Sequence, residues 1–386
     1  KIAINGSTSD RAAIEVHDIG LEPVHNAAGE LGFRVLVGGG LGRTPVVGAF
    51  INEFLPWQDL LSYLDAILRV YNRYGRRDNK YKARIKILVK ALTPEVFAQK
   101  VDAEMEHLRG GQTTLTEAEV HRVAKHFVDP DYKALDNQHA ALAELDAQHP
   151  GFARWRTRNT VAHKKPGYVA VTLSLKPTGV APGDLTDKQL DAVADLAERY
   201  SYGQLRTSHE QNIILADVEQ AQLFTLWGEL REHGFATPNI GLLTDIICCP
   251  GGDFCSLANA KSIPIAESIQ RRFDDLDYLF DIGELDLNIS GCMNACGHHH
   301  VGHIGILGVD KKGEEFYQVS LGGNAARGAS LGKILGPSFA QDDMADVIEK
   351  LIAVYVEQRT EEERFIDTYQ RIGIDPFKER VYAANH

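Results

Sequence analysis

The sequence predicts an α+β chain built on a duplication, with a small half-domain of ferredoxin-like order set between two mixed α/β copies. Three observations predict it: a repeat near the two ends, a β-α-β-β-α pattern between the copies, and five cysteines confined to the second copy.

The repeat comes first. "IAINGSTSDRAAIEVHDIG" aligns with "LNISGCMNACGHHHVGHIG" at an offset of 285, matching Ile4 with Ile289, Gly6 with Gly291, Ile19 with Ile304 and Gly20 with Gly305. Further on, "FRVLVGGG" meets "YQVSLGGN", which sets Gly38 against Gly323, and "RVYNRYG" near Tyr71 meets "AVYVEQR" near Tyr355. Each copy reads as strand, glycine turn, loop, strand ending in glycines, then helix. A period this long marks a duplicated domain, not a solenoid. Residues 151–285 have no partner ahead of Lys1, and the chain opens in mid-strand without a methionine. The expectation is therefore the C-terminal two thirds of a longer protein.

Between the copies, "GYVAVTLSLKP" reads as a strand. "TDKQLDAVADLAERYSYG" reads as a helix, with Leu190, Val193 and Leu196 at helical spacing and Thr186 as N-cap. "QLRTSHEQNIILADV" is a strand pair and "EQAQLFTLWGELREHG" a second helix, an order that suits half of a ferredoxin-like sheet. The expected domains are 1–150 with a helical linker at its end, 151–240 for the half-domain, and 241–386.

Composition narrows the function. The chain is 44% hydrophobic and 24% charged, as soluble globular proteins are. It has no apolar run of about 18 residues and no signal peptide, which predicts a cytoplasmic protein with no membrane partner. A net charge of −12 argues against nucleic acid as partner, because phosphate affinity needs a broad cationic surface. A local basic pocket for a small anion remains compatible with that charge.

Cys248, Cys249, Cys255, Cys292 and Cys296 all fall within one short stretch. Such clustering reads as metal ligation, not as disulfides. The spacings Cys249-x5-Cys255 and Cys292-x3-Cys296 suit an iron–sulfur cluster better than a zinc knuckle, whose pairs are tighter. A zinc-stabilised binding module is the competing reading. Cys248 is the spare, since adjacent residues do not readily face one cluster. His298, His299, His300 and His303 are read as a polar loop edge, because consecutive side chains point in different directions. At the positions of Cys292 and Cys296 the first copy has Ser7 and Arg11. Ligands in one twin alone suggest a pseudo-twofold scaffold around a single redox site.

"CPGGDFC…CMNAC", "LVGGGLGRTP" and the half-domain together resemble the sirohaem-containing sulfite and nitrite reductases. The resemblance covers essentially the whole chain, and the four-cysteine pattern is its most specific part. It implies that Cys249, Cys255, Cys292 and Cys296 bind a [4Fe–4S] cluster, with Cys296 bridging to the iron of a sirohaem. Asn294 matches a position beside the cluster. Lys1 matches the second lysine of an active-site K-x-K motif, which with Cys296 makes the catalytic pair. The implied reaction is six-electron reduction of sulfite to sulfide in sulfate assimilation, with nitrite as the alternative substrate. Arg206 occupies a place that is expected to be structural in this copy.

Sirohaem carries carboxylates, so its pocket needs cations. In "RRDNKYKARIKILVKALTPE", Tyr81, Ile85, Leu88, Val89 and Leu92 recur at helical spacing, which leaves Lys82, Lys86 and Lys90 on another face, by itself a solvated charge face. Strand alternation of Lys80, Lys82, Arg84 and Lys86 competes, but Thr93-Pro94 as cap and first turn favours helix. With the resemblance, Arg84 and Lys86 become candidate carboxylate contacts. "VGGGLGR" lacks the amphipathic helix of a dinucleotide site, yet the backbone N–H groups of Gly38, Gly39 and Gly40, with Arg43, are candidates to hold a carboxylate or the oxyanion. No flavin or nicotinamide motif is present, so electrons are expected from a partner, ferredoxin or a flavoprotein subunit.

Overall fold

The computed structural model describes residues 1–383 and divides into two compact units, residues 1–129 with 324–331, and residues 130–323 with 332–383. The last three residues of the expected 241–386 domain lie outside the described residues.

In the first unit, strands β1 (Ile2–Ile4), β2 (Ile19–His25), β3 (Leu31–Val37) and β4 (Ala49–Pro56) form one sheet in that order. β1 and β2 are parallel; the other pairs are antiparallel. Ile19, Leu21, Val35 and Val37 share one face, as their period of two dictates. They pack with Tyr63, Ile67 and Val70 of helix Leu60–Tyr74 and with Phe97 and Val101 of helix Pro94–Met105. Segment 324–331 is seated in this unit: the Glu15 carboxylate accepts from the N–H groups of Gly328 (2.8 Å) and Ala329 (3.1 Å), and Arg327 pairs with the buried Glu22.

The second unit has two cores. In the half-domain, β5 (Thr160–Ala162), β6 (Tyr168–Leu173), β7 (Leu205–Thr207) and β8 (Ile213–Glu219) form an antiparallel sheet in the order β5-β6-β8-β7. Helices Asp187–Tyr200 and Leu223–Glu232 complete the β-α-β-β-α unit, and Thr186 with Gln189 forms a capping box at the first of them. Leu190 departs from expectation. It is exposed, while Val193, Leu196 and Ala197 face the core, so the buried stripe starts one turn later than the leucine spacing suggests.

The stretch expected as a helical linker, at the end of 1–150, carries the helix His139–Gln148. Residues 130–150 pack on the half-domain: Tyr132 Oη donates to Asp217 (2.5 Å), the Lys133 N–H to Tyr168 Oη (3.0 Å) and the Gln138 N–H to Gln220 Oε1 (2.7 Å).

The second core underlies a five-stranded sheet. Its strands β9 (Ile247–Cys248), β10 (Leu287–Ser290), β11 (Ile304–Lys311), β12 (Glu314–Leu321) and β13 (Lys333–Ile334) lie in the order β13-β12-β11-β10-β9. Helices Ile263–Arg272 and Met344–Gln358 pack beneath it through Ile265, Ile269, Ile348 and Leu351.

The internal repeat holds down to single backbone bonds. β1 pairs with β2 from Ile2↔Ile19, and β10 with β11 from Leu287↔Ile304. The left-handed Ala13 (φ 49°) opens a tight turn in which the Val16 N–H meets its carbonyl at 3.0 Å; His298 (φ 56°) does the same for Val301 at 2.9 Å. The Gly48 N–H donates to the Glu15 carbonyl (2.6 Å), and Gly332 to that of His300 (2.8 Å). Gly20 and Gly305 are glycine because a side chain has no room: a Cβ would lie 2.4 Å from the Ile14 carbonyl oxygen in one copy and 1.9 Å from that of His299 in the other.

One alignment needs correction. Gly38 corresponds to Gly322, not to Gly323. Both have left-handed φ (79° and 85°) and donate at 3.0 Å to the carbonyls of Asp18 and His303. The hairpin from Ile304 to Leu321 is one residue shorter than that from Ile19 to Val37, which slips the register after the turn.

Candidate functional site

Five hydrogen bonds, each donated by a backbone N–H, gather the cysteine loops. The Cys249 N–H donates to the Ile289 carbonyl at 3.1 Å, continuing the β9–β10 pairing past the end of the strand. The Gly291 N–H then donates to the Cys249 sulfur at 3.1 Å. From the other side, the N–H groups of Asn259 (2.8 Å) and Ala260 (3.0 Å) converge on the Gly291 carbonyl, and the Cys255 N–H closes a turn onto the Gly251 carbonyl at 2.9 Å. Glycine is required at these crossings. A Cβ on Gly291 would meet the Ala260 carbonyl oxygen at 2.6 Å and Gly251 Cα at 2.8 Å, and one on Gly251, itself left-handed at φ 58°, would meet the Ser262 nitrogen at 2.4 Å.

The thiols have graded exposure. Cys292 is buried, Cys249 and Cys255 are half-buried and Cys296 is exposed. Asn294 lies exposed between Cys292 and Cys296. Cys248 faces away, into the hydrophobic core. Burial, with Cys249 beside it, pushes its thiol well above the ordinary range.

Comparing the twin loops shows what the second one lacks. In the first copy Asp10 accepts from the N–H groups of Ala12 and Ile14 (2.9 Å each), and Asn5 from Arg11 (3.3 Å). The residue equivalent to Asp10 is Ala295, whose side chain makes no such bond. Ser290, equivalent to Asn5, still accepts from Gly297 at 3.1 Å. The first loop closes on its own side chains; the second replaces part of that closure with thiols.

The histidines divide. His299 is buried, takes the slot that Ile14 fills in the first copy, and has neither ring nitrogen hydrogen-bonded. Burial, with His300 and His298 nearby, lowers its pKa to about 3, so it is a neutral core group. His303 is also buried, and its Nδ1 accepts from the Asp286 N–H at 3.1 Å. Among the described residues no three His, Cys, Asp or Glu side chains converge on a point suited to a single metal ion. An iron–sulfur cubane takes thiolates spread around it, and the donor set in these joined loops is thiols, with the Gly291 N–H aimed at the Cys249 sulfur. The residues fit a cluster.

The remaining candidates lie together in the first unit, around a residue the sequence reading missed. Asp18 accepts from the main-chain amino nitrogen of Lys1 (2.9 Å), not from its side chain, and from Arg84 (2.9 and 3.0 Å). Burial raises its pKa, but these bonds outweigh that and hold it below the usual carboxylate range. Asp18 stands at the position of His303, so only its charge distinguished it in the sequence.

Lys86 departs from expectation. It does not share an open face with Lys82 and Lys90; it is buried, and its ammonium donates to the carbonyls of Gly40 (3.3 Å), Leu41 (2.8 Å) and Thr44 (2.6 Å). Those three bonds use all its donors. Burial, then Arg84, lowers its pKa. Two of the three glycine N–H groups are spent too: Gly38 donates to the Asp18 carbonyl and Gly40 to that of Val46 (2.9 Å). A Cβ on Gly39 would meet the Glu15 carbonyl oxygen at 2.4 Å, so that glycine allows close backbone packing. Arg43 and the Lys1 side chain are exposed. Arg206 is exposed on β7 and donates to Gln204.

A family model described as the nitrite and sulphite reductase 4Fe-4S domain matches residues 1–108 and 242–385, the two copies of the repeat. A second, the nitrite/sulfite reductase ferredoxin-like half domain, matches 162–233. The chain is 26% identical over 390 residues to "Sulfite reductase [ferredoxin] 2" of Mycolicibacterium paratuberculosis, covering 98% of this chain and 62% of that protein. It is 29% identical to "Ferredoxin--nitrite reductase" of Synechococcus elongatus, covering 91% and 62%. The solved structure of Mycobacterium tuberculosis NirA shares the fold, with a TM-score of 0.69 at 24% identity over 94% of this chain and 61% of that one. The chain thus spans about three fifths of the length of these relatives. With its 4Fe-4S domain matched twice around a matched half-domain, the chain belongs to the nitrite and sulphite reductase family.

Proposed function

We propose that this chain is the cluster-bearing part of an enzyme that reduces sulfite to sulfide by six electrons. The observation that carries the reading is the joining of the Cys249–Cys255 loop to the Cys292–Cys296 loop through Gly291. Cys249, Cys255, Cys292 and Cys296 would hold the [4Fe–4S] cluster, and Cys296, the exposed one, would bridge to sirohaem. When bound, these cofactors supply electrons one at a time to a single substrate-bearing iron.

The chain's own groups have three tasks. The half-buried and buried thiols keep water from the cluster. The exposed Lys1 ammonium and Arg43 offer positive charge to an oxyanion, and Lys1 can donate protons as oxygen leaves as water. Arg84, neutralised in part by Asp18, has donors left for a cofactor carboxylate. Ferredoxin is the proposed electron donor, since the relatives' names print it. Among the described residues no helix is long and apolar enough to cross a membrane.

Nitrite, reduced to ammonia, is the second reading, because a nitrite reductase matches at 29% against 26% for the sulfite reductases. The absorption spectrum of the purified full-length protein tests the cofactor assignment: a Soret band with a red-shifted α band is expected, and a colourless protein contradicts it. Turnover of sulfite against nitrite with reduced methyl viologen then decides the substrate.

A further inference from the structure

Strand β9, which delivers Cys249, lies at the edge of its sheet with β10 on one side only. An edge strand presents unpaired N–H and C=O groups on its free side. Here one side chain of the half-domain caps that side. Gln211, in the loop joining β7 to β8, accepts from the Cys248 N–H at 2.7 Å and donates from Nε2 to the Cys248 carbonyl at 2.8 Å. The primary amide reproduces the two bonds that a neighbouring strand would make.

The loop behind Gln211 is itself fixed. Lys176 is fully buried, and its ammonium reaches the Glu210 carbonyl (2.5 Å), the Asp245 carboxylate (2.6 Å) and the Asp245 carbonyl (3.2 Å). Asn212, also buried, donates to the same carboxylate at 3.0 Å and accepts from the Leu175 N–H at 3.1 Å. Gln211 sits between these anchors with φ 58°, a left-handed conformation that glycine adopts more readily. A strained backbone held by its surroundings points to a role for the side chain it carries. The left-handed Gly183 packs against it, where a Cβ would come within 3.2 Å of Gln211 Cβ.

We propose that Gln211 is a positioning residue for the cluster ligand Cys249, and that this half-domain acts as a clamp setting the geometry of the first cysteine loop. The proposal rests on the cluster reading above. The chain of connection is short: Lys176 and Asp245 fix residues 210–212, Gln211 fixes the Cys248 peptide, and the next residue carries the sulfur that accepts from Gly291. Partners of metal ligands that act in this way typically change metal retention by roughly ten- to a hundredfold when removed.

The test uses the full chain, reconstituted anaerobically with ferrous iron and sulfide, as wild type, Gln211→Leu, Gln211→Glu and Arg206→Ala. Iron release to a strong chelator and the reduction potential of the cluster are measured, with Cys249 alkylation in the metal-free chain as a cluster-independent readout. Gln211→Leu is expected to release iron at least about tenfold faster, shift the potential and speed Cys249 alkylation. Gln211→Glu keeps an acceptor for the Cys248 N–H but sets a carboxylate against its carbonyl, and should fall in between, which keeps the test open if the leucine variant fails to fold. Arg206→Ala should behave as wild type. Wild-type values for both Gln211 variants would overturn the clamp alone. A wild-type chain that takes up no cluster would overturn the cluster reading, and the clamp with it.

Discussion

The N–H of Gly291 donates to the sulfur of Cys249 across 3.1 Å, which ties two loops about forty residues apart in sequence. The contact is possible only because Gly291 has no side chain. A methyl group there would press on the Ala260 carbonyl at 2.6 Å and on Gly251 Cα at 2.8 Å. Gly291→Ala is therefore expected to cost about 1–3 kcal/mol in the metal-free chain and to lower cluster uptake, checked by thermal unfolding and by iron content after reconstitution.

The buried Lys176–Asp245 pair makes a second prediction. Lys176→Met leaves the Asp245 carboxylate with only the Asn212 side chain and the Gly241 N–H as partners. Breaking one side of a buried pair costs about 3–5 kcal/mol, and neutralising both sides recovers much of it. Urea unfolding should therefore find Lys176→Met with Asp245→Asn more stable than Lys176→Met alone.

Lys86 is expected to matter for folding before chemistry. Lys86→Met removes the donor shared by three carbonyls and should destabilise the first unit by about 2–3 kcal/mol. Thermal unfolding of the metal-free chain checks it. A stable variant that lost only sirohaem would restore the role in cofactor binding that the sequence suggested.

Cys248 gives a pH dependence with a definite sign. Burial keeps its thiol protonated in the folded state, whereas an unfolded thiol ionises near about pH 8.5. Above that pH the unfolded chain gives up a proton that the native chain keeps, so stability falls as pH rises, by up to about 1.4 kcal/mol per pH unit. Cys248→Ala should flatten this slope between about pH 8.5 and 10 in urea titrations of the metal-free chain. Cys248→Ser should leave the cofactor bands intact, and Cys296→Ser should abolish the sirohaem band.

Much of this architecture was readable in the sequence, for reasons particular residues make clear. Gly20 and Gly305 mark the repeat because a carbonyl oxygen occupies the space a side chain would need. Thr186 and Gln189 announce a helix start because their cap is local. What escaped was non-local or one residue out of step. The shortened hairpin moved Gly323 off Gly38 and put Gly322 there. Helical spacing left Lys86 outside the apolar stripe, but its carbonyl partners lie more than forty residues away and leave no trace in local periodicity. Gln211 and Asp18 act through contacts with Cys248 and Arg84 that no motif encodes.

The most direct measurement is the iron and acid-labile sulfide content of the anaerobically reconstituted chain, compared with its Cys249→Ser, Cys255→Ser, Cys292→Ser and Cys248→Ser variants. About four irons and four sulfides per chain are expected, with loss in the first three variants and retention in Cys248→Ser. One zinc without sulfide, or equal damage from Cys248→Ser, would contradict the assignment of these cysteines to a single cluster.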